Sequence, residues 1–371
     1  MFTQLRLQNF LSFKGPVTVP LPKFGVVVGA NNSGKSNLLL ALRFLNAASN
    51  GGRPADISFQ NFNRTLNSLL YRDEKANAFN LSMNATSDVK RVPWRNATYE
   101  ISIKFSGIDP IIGREHFSVD TSDGPGETQT YQDVQLLNVF TQPGRPSPTS
   151  LRGSFLYEHL RRIEYFHFDP NALRAPSHIT PNPKIGIDGS GLPAVLDALR
   201  SEHPDIYEKI EADFRQCVPD VQRILLKTTN EGQKVVMLKQ AGYTQPFSSS
   251  EISDGLLLFL ALLCCINQVP KPSLILLEEP ERGIHPRRLA DVVALIGALV
   301  DKSDTQVLMS THSPYLLDLF KDDLESVLVL DRDENGTSVH RAHEIVKEMN
   351  GLHGSPLGEL WFSGALGGVP K

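Results

Sequence analysis

The sequence predicts an α/β fold. A parallel-sheet core is joined to an antiparallel β lobe and carries an inserted lobe of helices and loops. Three observations carry this. Residues 24–28 are a short apolar run, residues 29–36 are a glycine-containing loop, and leucines and alanines then recur at helical spacing to about residue 48. Strand, loop and helix thus follow one another directly. From residue 256 onward, apolar helical runs alternate with the apolar strands 274–277 and 305–310, the pattern of a parallel sheet. Residues 3–28 and 96–105 alternate apolar with polar, the first stretch broken by Gly15, Pro16, Pro20 and Pro22, as antiparallel strands do.

In chain order, residues 3–28 read as a strand meander and residues 35–48 as the first helix. Residues 49–93 turn to Asn, Ser, Arg and Asp with weak periodicity and read as an inserted lobe or loop. Residues 96–105 read as a strand, with Tyr99, Ile101, Ile103 and Phe105 on one face. The stretch 121–150 is rich in Gly, Pro, Thr and Ser and reads as a loop. Residues 151–168 read as a helix and a strand meeting at Arg161-Arg162. Residues 189–218 carry two helical patterns separated by His203-Pro204. Residues 221–238 form a hairpin around Asn230-Glu231-Gly232. A Ser-rich loop, an apolar helix, a strand, a helix, a strand and a last hairpin complete the order. There is no internal repeat or coiled-coil heptad run.

The chain has 371 residues, enough for one large domain or two ordinary ones. Its net charge of −4 provides no global basic field, so any nucleic-acid surface must be local. The three cysteines, Cys217, Cys264 and Cys265, lack metal spacing, and the adjacent pair lies in an apolar run. Buried thiols in a reducing cytosol are therefore expected. No signal peptide is expected, because the start is not basic then apolar, and no membrane span, because the longest apolar run, residues 256–266, falls short of about twenty residues.

The loop Gly29-Ala30-Asn31-Asn32-Ser33-Gly34-Lys35-Ser36 reads G-x-x-x-x-G-K-S, the phosphate-binding P-loop. Its glycines let backbone N–H groups converge on one anion, and the helix that follows adds the positive end of its dipole. Lys35 reaches the outer phosphates, and the Ser36 hydroxyl is placed to ligate Mg²⁺. The strand 274–277 ends in Glu278-Glu279. The first acid suits Mg²⁺, and the second suits orientation of an attacking water. A solvated acidic strand end is the ordinary alternative. The strand 305–310 ends in Thr311-His312-Ser313-Pro314, which places His312 at the carboxyl edge, where ligands bind. Ser253-Asp254-Gly255 opens the apolar helix. It reads as an N-cap, or with Ser253 and Gly255 as a second anion site serving ATP held by another copy.

In that order these motifs resemble the ATP-binding-cassette (ABC-type) ATPases. The likeness is closer to the SMC/RecF-like branch and, within it, to the OLD-type ATPases of prokaryotic genome defence. The residues that carry it are Leu7-Gln8-Asn9-Phe10, the loop extended from Gly29 through Asn37, Glu278-Glu279-Pro280-Glu281 with His285-Pro286, and Ser310-Thr311-His312-Ser313-Pro314. The resemblance covers residues 1–48 and 220–345. It implies head-to-tail dimers that enclose two ATPs with Mg²⁺. Gly29, Asn31, Asn32, Ser33, Gly34, Lys35, Ser36 and Asn37 would bind in cis, and Ser253–Gly255 would close on the partner's γ-phosphate. Glu279 would be the general base, Lys35 and His312 its catalytic companions, and Glu278 with Ser36 the metal ligands. Glu278 departs from the family's Asp, and Ser-Asp-Gly departs from Ser-Gly-Gly. No glutamine stands at residues 167–170, so no Q-loop residue is assigned.

OLD-type nucleases carry a TOPRIM domain, and Asp331-Arg332-Asp333 has the spacing of its acidic pair. The following Glu334-Asn335-Gly336 favours a hairpin. The chain therefore reads as the ATPase alone, with any TOPRIM-type nuclease a separate subunit. The expected division is 1–48 and 220–345 for the ATPase head, 49–219 for the inserted lobe and 346–371 for a tail. The tail carries Trp361, Phe362, Leu366 and Gly358, Gly364, Gly367 and Gly368. It either docks a partner or folds back on its own domain.

The expected function is a cytoplasmic ATP-hydrolysing subunit, a homodimer or higher oligomer, acting with DNA or an effector nuclease and without a membrane. The alternatives are the nucleotide-binding subunit of a transporter and a slow regulatory ATP-binding scaffold. Arg161-Arg162, Arg174 with Lys184, and Arg287-Arg288 are the local basic clusters. Each reads as a phosphate contact or as a solvated face.

Overall fold

The computed structural model describes residues 1–50, 62, 64–73, 76–87, 94–105, 110–121, 128–134, 151–349 and 355–369. Two six-stranded sheets and one small sheet organise these residues. The first sheet is antiparallel throughout. It takes strands β1 (Phe2–Gln8), β2 (Val17–Pro20), β4 (Ala78–Thr86), β5 (Trp94–Phe105), β6 (Pro110–Thr121) and β7 (Thr128–Val134), in the order β2-β1-β4-β5-β6-β7. The second takes β3 (Phe24–Gly29), β8 (Ile163–Phe166), β12 (Leu274–Glu278), β13 (Gln306–Ser310), β14 (Val327–Asp333) and β15 (Gly336–Arg341), in the order β15-β14-β3-β13-β12-β8. All its pairings are parallel except the β14–β15 hairpin. The strands β9 (Val221–Thr228), β10 (Lys234–Gln240) and β11 (Phe247–Ser248) form the small sheet.

The continuous apolar runs of the parallel strands follow from burial on both faces. Alternate residues divide between two cores. Val27, Leu274, Leu276, Leu308, Leu328 and Leu330 face the first helix, α1 (Lys35–Ser49), and the antiparallel sheet. Val26, Val28, Ile275, Leu277, Val307, Met309 and Val329 face the opposite core. There the helix Asp254–Asn267 is buried from Leu257 to Asn267, including the free thiols of Cys264 and Cys265. Burying about 25 cal/mol per Å² of apolar surface on each face makes this sheet the most firmly held platform available for a site. Gln306 ties the sheets together, its amide donating to the Phe2 carbonyl at 2.8 Å.

Two stretches differ from the sequence expectation. Residues 78–86, read as part of an inserted loop, form β4, with Phe79, Leu81, Met83 and Ala85 buried against α1 and polar residues between them. Residues 128–134, read as loop, form β7. The rest of the 121–150 stretch, apart from residue 121, lies outside the described residues. The segment 49–219 is likewise not one lobe. β4 to β7 extend the sheet that β1 begins, and β8 joins the parallel sheet beside β12. Among the described residues no helix is long and apolar enough to cross a membrane.

Candidate functional site

β3, β12 and β13 end at Gly29, Glu278 and Ser310, so their following residues meet at one carboxyl edge. The loop after β3 turns through Asn32 at φ 68° and Gly34 at φ 111° into α1. Glycine is required at 34. A Cβ there would lie 2.7 Å from both Ser12 Oγ and Thr337 Oγ1. Thr337 Oγ1 also donates to the Ser33 carbonyl at 2.8 Å, and Asn37 Nδ2 donates to Ser12 Oγ at 2.9 Å. The turn after β1 and the start of β15 therefore clamp the loop from outside. Ser33 Oγ is buried without a partner.

Lys35 is 6 % exposed, and its ammonium donates to the carbonyls of Gly29 at 2.7 Å and Ala30 at 2.9 Å. Burial lowers its pKa to about 8, against the attraction of Glu279 and Glu278. It is a largely desolvated cation folded onto two neutral acceptors, poised for an anion that replaces them.

Glu278 Oε1 accepts from Ser36 Oγ, and its Oε2 accepts from the Tyr165 hydroxyl. His167 Nδ1 lies 3.8 Å from the same Oε2. The Arg43 guanidinium sits 4.0 Å over the Tyr165 ring. Burial and the Glu278 carboxylate raise the Tyr165 pKa, which keeps the phenol a neutral donor. Glu279 has φ 49°, in the left-handed region, which costs a non-glycine residue about 1–2 kcal/mol. Its N–H donates to the Ser310 carbonyl at 2.9 Å, and its carboxylate is 3.7 Å from His312 Nε2. Burial first, then Lys35, lowers the His312 pKa, so the imidazole is neutral at pH 7. Glu281 lies behind it. Its Oε1 accepts from Thr311 Oγ1 at 2.6 Å and from the His312 N–H at 3.1 Å, while Oε2 is buried without a partner.

Asn31, Asn32, Gly34, Lys35, Ser36, Asn37, Glu278, Glu279, Ser310 and His312 line one cavity of about 240 Å³. Whole small-molecule sites run to about 300–1,000 Å³, so this chamber suits phosphates and a metal ion rather than a whole nucleotide. The donors fit Mg²⁺, because Ser36 Oγ and Glu278 are hard oxygens. No group of three or more His, Cys, Asp or Glu side chains that could hold a metal occurs among the described residues. Mg²⁺ is typically held by one or two carboxylates with phosphates and water rather than by such a cage.

Ser253 and Gly255 do not line this cavity. Ser253 N-caps its helix without a side-chain hydrogen bond. Asp254 pairs with Arg174, whose guanidinium also donates to the Ile252 carbonyl at 2.7 Å. Gly255 packs on the turn after Glu279, where a Cβ would lie 3.0 Å from the Gly283 carbonyl oxygen. Other members of the basic clusters are also engaged. Arg161 donates to Asn50 Oδ1 at 3.0 Å, and Arg288 to the Cys217 carbonyl at 2.7 Å. Asp331 and Asp333 sit in the β14–β15 hairpin, where Arg332 donates to the Asn32 carbonyl at 3.3 Å. Sequence reasoning passed over Tyr165 and the roles of Ser12, Thr337 and Glu281. Only Glu281, inside the Glu-Glu-Pro-Glu motif, carried a sequence signal.

A nucleotide-type loop at the carboxyl edge of a parallel sheet defines a P-loop ATPase domain. A family model described as "AAA domain, putative AbiEii toxin, Type IV TA system" matches residues 24–93 and 95–318, and the chain belongs to that family. A curated relative, "ATP/GTP phosphatase" of Helicobacter pylori, is 23 % identical over 345 residues, covering 86 % of this chain and 87 % of the relative. The "Chromosome partition protein Smc" of Synechococcus is 51 % identical over 55 residues, 14 % of this chain and 5 % of that protein. Two solved structures share the fold. An Smc head bound to the C-winged helix domain of ScpA superimposes with TM-score 0.57 at 13 % identity, covering 93 % of this chain and 99 % of that one. An Smc head with an extended coiled coil, bound to the C-terminal domain of ScpA derived from Pyrococcus furiosus, gives 0.53 at 13 % identity, covering 94 % and 99 %. The mixed α/β fold is thus that of an Smc head.

Proposed function

We propose that this chain binds ATP with Mg²⁺ and hydrolyses it to ADP and phosphate, in a head-to-tail dimer. The observation that supports this best is the meeting of Lys35, Ser36, Glu278, Glu279 and His312 around one small chamber. Bound Mg²⁺ would supply charge neutralisation for the phosphate oxygens. Lys35 exchanges its two loop carbonyls for phosphate oxygens. Ser36 and Glu278 would hold the metal through their oxygens, and Tyr165 keeps Glu278 in place. Glu279 orients a water and takes its proton as the water oxygen bonds to the γ-phosphorus and the bond to the β-γ bridging oxygen breaks. His312, neutral and fixed through its N–H by Glu281, donates a hydrogen bond to the reacting phosphoryl group.

Residues 1–48 and 220–345 supply most of the nucleotide-facing parts in this reading, 49–219 the flanking sheet and helices together with Tyr165 behind Glu278, and 346–371 the tail. Ser253 and Gly255 act on the nucleotide of the other copy, a reading supported by their absence from the lining of their own chamber. The finer reading is an OLD-like ATPase that controls a separate nuclease or DNA-processing partner in genome defence. It rests on the motif resemblance. The anchoring of Arg332 to the P-loop supports reading Asp331-Arg332-Asp333 as part of the head rather than as a TOPRIM acidic pair.

Lys35→Ala should abolish ATP binding. Glu279→Gln should bind ATP normally, stall hydrolysis and accumulate an ATP-bound dimer in size-exclusion chromatography with light scattering. Wild-type turnover in Glu279→Gln would remove that residue as the base. ATPase rates with and without duplex DNA, and with any co-purifying protein, separate a DNA-linked motor from a partner-controlled switch.

A further inference from the structure

The tail carries glycines at places where the proposed chemistry gives no reason for them. The short helix Leu357–Phe362 packs on the helix Pro314–Asp318, which starts two residues after His312. Gly358 lies at that crossing. A Cβ on it would stand 2.5 Å from the Pro314 carbonyl oxygen, and its N–H donates to Asp318 Oδ1 at 2.7 Å. The chain then turns through Gly364, Gly367 and Gly368, all at positive φ, and passes over the end of the parallel sheet. Gly368 covers the rung where Leu330 of β14 pairs with Gly29 of β3. A Cβ there would be 3.1 Å from Gly29 Cα and 3.1 Å from the Leu330 carbonyl oxygen. Trp361 joins the two ends of the segment, its Nε1 donating to the Gly368 carbonyl at 3.2 Å from a buried ring. Leu357, Leu360 and Leu366 are buried beneath it.

One segment therefore touches both halves of the chamber. Gly29 supplies a carbonyl that holds Lys35, and Pro314 follows the strand tip that presents His312. We infer that residues 357–369 are a strap, and that Gly358, Trp361 and Gly368 are positioning residues that set the P-loop entrance and the His312 turn relative to each other. Burial alone would not require glycine at 358 and 368. The close approach to backbone at both places does; one backbone is Gly29 of the P-loop, and the other, Pro314, lies two residues after His312. Displacing either end should loosen one half of the chamber and leave the sheet intact.

The inference rests on the ATPase reading for its turnover and affinity readouts, so its first readout needs no nucleotide. Hydrogen exchange is measured on the nucleotide-free protein at the amides of residues 30–36 and 311–316. Gly368→Ala should raise exchange at 30–36 by about fivefold or more, and Gly358→Ala at 311–316. With nucleotide, Gly368→Ala should weaken the Kd for an ATP analogue about tenfold. Gly358→Ala should lower kcat about tenfold, with the Kd within about twofold. Gly232→Ala, outside the strap, is the control. It shares the left-handed strain of Gly368, at φ 78°, but a Cβ there meets nothing within 4 Å. It should match wild type in every readout.

In a Trp94→Phe background, Trp361 is the sole tryptophan, and its emission reports whether the strap is seated. A red shift in Gly358→Ala with loss of both affinity and turnover means that the strap has come off whole, which supports the inference. Unchanged exchange at both segments in both variants, seated or not, overturns it. So does the same loss in Gly232→Ala. A wild-type protein that binds no ATP would refute the ATPase reading while the exchange data still decide the strap.

Discussion

At the residue scale, the ionisation of Lys35 decides when the chamber can take an anion. Its burial against neutral carbonyls holds its pKa near 8, below the ordinary 10.5. Between those values the unfolded chain binds the extra proton, so this group's contribution to stability rises with pH from about 8 to 10.5. Nucleotide affinity runs the other way, because the neutral amine loses its attraction for phosphate. The Kd for ATP should weaken as pH rises past about 8, and Lys35→Arg, which cannot deprotonate there, should bind with a flatter profile. A titration of Kd from pH 7 to pH 10 checks both. Tyr165 makes a second residue-scale claim. Tyr165→Phe removes one donor from Glu278 but keeps the ring under Arg43. The Mg²⁺ concentration for half-maximal ATP binding should rise about tenfold, as loss of a partner behind a metal ligand typically does. Thermal stability should change by less than about 1 kcal/mol.

At the element scale, the site is made by strand ends, and this explains which parts were legible in the sequence. Gly29, Glu278 and His312 each follow an apolar run, and a buried parallel strand is the easiest element to see. The helix 254–267 was equally plain, because it is apolar on every side. β4 alternates as β5 does, but its Asn- and Ser-rich composition within 49–93 made that alternation read as loop. What remained invisible depends on residues far apart in the chain. Ser12 and Thr337 meet at Gly34, Tyr165 meets Glu278, and Gly368 meets Gly29. No periodicity records such meetings. The clamp on the P-loop predicts that Gly34→Ala costs about 1–3 kcal/mol of stability, since the residue takes a strained φ and meets two hydroxyls. It should also abolish measurable ATP binding. Gly232→Ala, also at positive φ but with nothing within 4 Å, should cost only the backbone term and leave binding intact. Chemical denaturation and ATP binding on the two variants separate local strain from the clamp.

At the scale of the whole molecule, the question is what Ser253 and Gly255 do, since neither lines the chamber of its own copy. In the head-to-tail pair proposed above, each chamber would take Lys35, Glu279 and His312 from one chain and the Ser253–Gly255 helix start from the other. A symmetric dimer of this kind has two shared sites. The decisive measurement is ATP turnover after mixing two inactive variants in equal amounts. Lys35→Ala removes the P-loop cation, and Ser253→Arg, at an exposed residue with no side-chain hydrogen bond, blocks the helix start. Each is expected to be inactive alone. In the mixed dimer one site is whole and the other carries both lesions. With half of all dimers mixed and one good site in each, about a quarter of wild-type activity should return. Activity of the mixture no greater than the sum of the two variants measured separately would contradict a site shared between copies.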